Sequence, residues 1–248
     1  MNSVVHLRSV RIVAATLSAL LLFASAAAAD DVDLFNAAVE DFSAHGRAAL
    51  GYLRTENVDL GALEMERMRD SWGALVERFG AKPPQALRDN PLYTTALVDV
   101  PTRLVGGFLM LQIGRPDLAR DTLVAIRNEI SQLRRAGHIE VLADCILDAN
   151  AAMDALFVHR DQPPDLAAQT DAAALAAKAD AYGRTVRRCD GMAVAGIRGQ
   201  PEFRRLVDGI AASLALMPKA IAERDGDLLH RLLIELRSFD NLLAFRYG

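Results

Sequence analysis

Apolar side chains recur at steps of three and four from Asp33 to Tyr247, with no convincing stretch of strict alternation, and that rhythm commits the chain to packed helices. Along Leu175, Ala179, Tyr182, Val186 and Cys189 the steps run four, three, four, three, which is one stripe on one helix. Eight helices are expected, at about 33–54, 59–79, 91–113, 117–136, 139–158, 166–190, 201–223 and 227–246. The breaks carry the matching punctuation: Pro83-Pro84, Asn90-Pro91, Gly114 with Pro116, Pro163-Pro164, and the looser stretch from Gly191 to Gly199. Pro101 and Pro218 fall inside expected helices, where each removes a backbone donor, so a kink or a late helix start is expected. Aromatic residues make up only 6% of the chain, so the core is expected to consist mostly of Ala, Leu, Val and Ile.

A motif repeats within this pattern. Asp59-Leu60, Asp117-Leu118 and Asp227-Leu228 each open a helix, and an Arg stands ten positions after each Asp: Arg69, Arg127 and Arg237. Met65, Leu123 and Leu233 lie six positions after the Asp; Met68, Ile126 and Leu236 lie nine after; Leu75, Leu133 and Leu243 lie sixteen after. The acids suit helix caps, since a carboxylate accepts from the orphan amides of a first turn, and the apolar positions suit a buried stripe. The Arg is the one polar member, and its expected role is structural, an ion pair with a carboxylate on a neighbouring helix. A fourth dipeptide, Asp165-Leu166, is expected to open the sixth helix.

The repeat also operates on a larger scale. Moving Pro91–Gly137 along by 110 positions aligns Tyr93 with Phe203, Leu104 with Leu214, Asp117 with Asp227 and Arg127 with Arg237. The expected fold is all-α, repeated αα-hairpins forming two tandem four-helix up-and-down bundles at 30–137 and 138–248. The alternative packing of the same hairpins is a short α-solenoid.

Residues 1–29 have the order of a secretory signal peptide: Arg8 and Arg11, the apolar run Ile12 to Phe23, then small residues from Ala24 to Ala29. Cleavage after Ala29 is expected to deliver the protein to the periplasm or the exterior, with no integral membrane span after it. The signal peptide takes two of the 28 basic side chains and no acid, leaving about 26 against 32 acidic ones and a net charge of about −6. A mildly acidic surface argues against nucleic acid as a partner.

Eight exported helices of this length resemble the bundles of cytochrome c-prime and of the soluble b-type cytochromes. Covalent haem there implies Cys-x-x-Cys-His, which is missing from this chain, whose thiols are Cys145 and Cys189. No cofactor is expected, although non-covalent haem stays open as the alternative function, an electron-carrier bundle. His45, His138, His159 and His230 show no metal-ligand spacing, and Met65 and Met68 take the core positions of the repeat. No nucleophile elbow, phosphate-binding loop or triad spacing appears, so a non-catalytic protein is expected. It would bind an unidentified protein partner, or a small ligand held between its two bundles.

Cys145 and Cys189 both face apolar seams on the fifth and sixth helices, which form a hairpin around Pro163-Pro164. In an oxidising compartment they are expected to form a disulfide, the alternative being two separate buried thiols.

Overall fold

The computed structural model describes residues 31–248, so the expected signal peptide and the expected cleavage after Ala29 lie outside the described residues. The described residues are all-α, and no strand occurs among them. The chain divides into two compact units between Ile139 and Glu140.

The first unit holds α1 (31–54), α2 (Val58–Phe79), a 3-10 turn at Gln85–Leu87, α3 (Pro91–Gln112) and α4 (Pro116–Ala136). On α1, Phe35, Val39, Phe42, Gly46, Ala49 and Leu53 alternate steps of four and three and are all buried. Phe35 meets Phe79 edge to face at 5.5 Å, Phe42 packs on Trp72 at 5.0 Å, and the Tyr93 hydroxyl donates to the Phe79 carbonyl at 2.8 Å, closing the end of α2.

The second unit holds α5 (Leu142–Phe157), a 3-10 turn at Val158–Arg160, α6 (Gln169–Met192), α7 (Ala195–Arg198), α8 (Pro201–Ala222) and α9 (Gly226–Tyr247). Hairpins α5–α6 and α8–α9 pack with α5 on α9 and α6 on α8. Because its first helix touches its last, this unit is a closed four-helix ring rather than a stretch of stacked hairpins.

The hairpins share one turn. Glu56, Gly114 and Arg224, each three positions before a motif Asp, adopt left-handed φ of 61°, 75° and 54°. In each case the next amide bonds back five residues: Asn57 to Tyr52 at 2.9 Å, Arg115 to Met110 at 2.8 Å and Asp225 to Ala220 at 2.9 Å. The left-handed residues themselves bond back three, to Leu53, Leu111 and Ile221. These paired bonds are the Schellman ending of a helix, which satisfies the last carbonyls and points the chain into the next helix. His138 (φ 56°) ends α4 the same way, with Ile139 bonded to Arg134 at 2.9 Å. This turn belongs to the first unit and so moves the boundary about two residues beyond the expected 137.

Several expected details differ. The motif acids lie inside the first turn and are not the caps. Asn57 and Asp225, two positions earlier, accept from the amides of Leu60 and Leu228 at 3.4 and 2.8 Å. In the second copy Arg115 takes the cap position without capping and instead grips Asp117 through two bonds of 2.9 and 2.6 Å, which hold the Asp117 carboxyl down to about 2. Asp165 does not open α6; its carboxylate turns the chain by accepting from Ala167, and the helix starts at Gln169. The connection at 191–199 contains the four-residue α7, too short to leave a periodic signal. α3 and α8 run through Pro101 and Pro218.

The apolar positions of the motif sit where their spacing puts them: Met65, Leu123 and Leu233, Met68, Ile126 and Leu236, and Leu75, Leu133 and Leu243 are at most 3% exposed.

Candidate functional site

The second unit carries a polar cluster inside its core. On α9 the stripe Leu229, Leu233, Leu236, Asp240, Leu243 steps four, three, four, three, so Asp240 is carried inward with the leucines and is 0% exposed. Its carboxylate accepts from the Asn150 amide at 2.6 Å, the Tyr182 hydroxyl at 3.3 Å and the Arg237 guanidinium at 3.4 Å. Burial pushes the Asp240 carboxyl up to about 6, against the pull of those donors, and drives the Tyr182 phenol upward as well. Arg237, one of the motif arginines, extends the cluster to α5, pairing with Asp154 at 2.6 Å and lying 4.7 Å from the centre of the Phe157 ring. Asp240 and Tyr182 are both at 0% exposure, so the centre of the cluster joins helices inside the core, and only its Asp154 end reaches the surface.

The other two motif arginines behave differently. Arg69 pairs with its own neighbour Asp70 at 3.1 Å, and Arg127 is half-buried on α4. Asp59 and Asp227 are exposed first-turn acids. Cys145 and Cys189 are joined in a disulfide between α5 and α6, with Cα atoms 5.4 Å apart and both residues at most 3% exposed. In the first unit His45 bonds to Glu64 at 2.8 Å while Arg67 takes the other carboxylate oxygen at 2.6 Å. Among the described residues no group of three or more His, Cys, Asp or Glu is placed to hold a metal ion.

A groove of about 500 Å³ opens between α6 and α8. Ala176, Ala179, Gly183 and Arg187 line it from α6 at steps of three, four and four. Ala211, Ala215, Pro218 and Ala222 line it from α8 at steps of four, three and four, so each helix turns one row of small residues toward the other. Met217 and Leu214 lie between. A Cβ at Gly183 would stand 3.1 Å from Leu214 Cδ1, so glycine there keeps the groove open. Two lining residues are charged, Asp180 and Arg187, seven positions apart on α6. That is about 10 Å along the axis. Both are exposed, and neither side chain has a hydrogen bond or ion pair among the described residues. A concave, mostly apolar site of this size with a few polar groups is the usual form of a small-molecule site.

None of the groove residues stands out in the sequence as a binding residue. The available signal was the run of Ala and Gly at helical steps in two neighbouring helices, which by itself also describes close packing. Asp240 was legible in principle, as an acid at a core step of a leucine stripe. The chain matches no protein-family model, no curated protein and no solved structure.

Proposed function

We propose that this is an exported, non-catalytic binding protein whose second unit takes a slender apolar molecule with an anionic end in the groove between α6 and α8. The observation that carries the reading is the groove itself, apolar along its length and bearing an Arg187 guanidinium without a partner among the described residues. A guanidinium matches a carboxylate fork to fork, and Asp180 one groove length away keeps the anion at the Arg187 end. Export is supported by the order of residues 1–29 and by the Cys145–Cys189 bond, a pairing that persists in oxidising compartments.

The test is titration of the full chain with dodecanoate, dodecanol and dodecylamine by calorimetry. Saturable binding of dodecanoate is expected, weakened about tenfold in Arg187→Gln, while dodecanol binding is unchanged in that variant. Ala215→Leu, which fills the groove from an exposed position, should abolish binding with helicity retained. Failure of dodecanoate to bind, or binding indifferent to Ala215→Leu, would overturn the reading. An amine preferred over the carboxylate would replace the anionic end with a cationic one.

A further inference from the structure

The first unit presents a second surface, along the outer side of α3. Pro91, Thr95, Val98, Thr102, Val105, Leu109 and Gln112 follow one another at alternating steps of four and three, the spacing of a helix seam made for another helix. All seven are exposed, and Val98, Val105 and Leu109 are 61%, 68% and 51% exposed. Leu92 and Ile113 stand exposed at the two ends of the row. No member of the row is charged. The two threonines add no unmet donor, because the Thr95 hydroxyl bonds to the Pro91 carbonyl at 3.2 Å and the Thr102 hydroxyl to the Val98 carbonyl at 2.7 Å.

The internal repeat supplies a comparison in the matching row of α8, whose Ala215 and Ala222 line the groove and whose other members are exposed outside it. On α8 the positions 110 further along are Pro201, Arg205, Asp208, Ala212, Ala215, Lys219 and Ala222, also exposed but with three charges. The buried sides of the two helices remain alike, Tyr93 and Phe203, Val100 and Ile210 being buried in both. Along the outer row the two helices differ: Val98 stands where α8 has Asp208, and Leu109 where it has Lys219.

We propose that this row is an interface between two copies of the chain, packed antiparallel through α3 about a two-fold axis near Thr102. The row is self-complementary under that operation: Val98 meets the partner's Val105, Thr95 meets the partner's Leu109, and Thr102 meets its own mate. The five exposed apolar side chains uncover on the order of 500 Å² per copy, so pairing buries about 1,000 Å², the lower bound for a specific interface. Opposed helix directions also place the two α3 dipoles head to tail. α3 is also long and apolar enough to cross a membrane by length and composition, but Tyr93, Val100 and Leu104 on its other side are locked in the core of the first unit. That leaves one narrow row for contact, which fits a helix better than a bilayer.

The experiment is sedimentation equilibrium of the full processed chain across a concentration series. A mass of twice the monomer is expected at tens of micromolar. Val105→Glu should weaken the association at least tenfold without changing helicity, whereas Ala212→Glu, the matching position to Thr102 on α8, should leave it intact. Thr102→Cys keeps the test independent of any folding defect, since its thiols would meet at the axis and oxidise to a covalent dimer detectable as intact mass. A monomer at these concentrations, association indifferent to Val105→Glu, or flotation with phosphatidylglycerol vesicles that Val105→Glu abolishes in a monomeric protein, would each overturn the proposal.

Discussion

The Asn150 side-chain amide reaches the buried carboxylate of Asp240 at 2.6 Å, across 90 positions of sequence and from α5 to α9. The two helices pack with a polar contact inside an apolar layer. Burying a carboxylate is costly even with donors around it, and the rise of its pKa to about 6 records that cost. Asn150, Tyr182 and Arg237 favour the ionised form, and Asp154 opposes it.

Acid should therefore stabilise the fold, by relieving the burial of this charge. Between about pH 4 and 6 the folded chain holds a proton on Asp240 that the unfolded chain has released, so stability falls as pH rises through that window. A rise of roughly two units corresponds to about 3 kcal/mol, present in full below about pH 4 and lost above 6. Urea midpoints of the wild type and Asp240→Asn, measured from pH 4 to 7, should differ by that slope. Parallel pH profiles would show that the carboxylate is not in the environment described.

Left-handed φ costs a non-glycine residue about 1 kcal/mol or more. Glu56→Gly and Arg224→Gly are expected to stabilise by roughly that amount each, since both hold the turn conformation that Gly114 adopts between α3 and α4. Gly114→Ala should destabilise by a similar amount for backbone reasons alone, because nothing lies within 4 Å of an added Cβ. Thermal midpoints decide it: destabilisation by both glycine changes would sink the shared-turn account.

Capping separates two acids that lie two positions apart in sequence. Asp225→Ala should lose about 1 kcal/mol with its bond to the Leu228 amide, while Asp227→Ala should stay within about 0.5 kcal/mol. Leu233→Ala, at 0% exposure, should cost more than either, on the order of 2–5 kcal/mol. Chemical denaturation of the three variants gives the ranking, and equal losses at Asp225 and Asp227 would reassign the cap.

The motif illustrates how much of the fold was legible. Its nine apolar positions could be placed from spacing because helical period alone decides which side of a helix is buried. Its acids were misplaced by two residues because the signal for the helix start lies in the preceding turn, and two of the three left-handed residues there are Glu56 and Arg224 rather than glycine. A left-handed Arg leaves no mark in a sequence. The groove was harder still: it is made by side chains that are small, and missing volume between α6 and α8 becomes visible only when both helices are in place.

The disulfide adds a prediction of its own. Denatured, unreduced protein from an oxidising compartment should titrate with no free thiol. Cys145→Ala with Cys189→Ala should lower stability by up to about 4 kcal/mol on the chain-entropy model for a separation of 44 residues. Two titratable thiols per chain would contradict the bond.

The same covalent link decides what a protease can achieve. The segment between the turn at Val158–Arg160 and the start of α6 at Gln169 lies inside the stretch that Cys145 and Cys189 enclose. A nick there would cut the main chain yet leave both fragments tethered, so the damage would stay hidden until a reductant separated the pieces. A nick between α2 and α3 has no such tether across it, and unfolding alone would part the ends. The α5–α6 hairpin of the unit carrying the groove is thus the part built to survive a broken backbone.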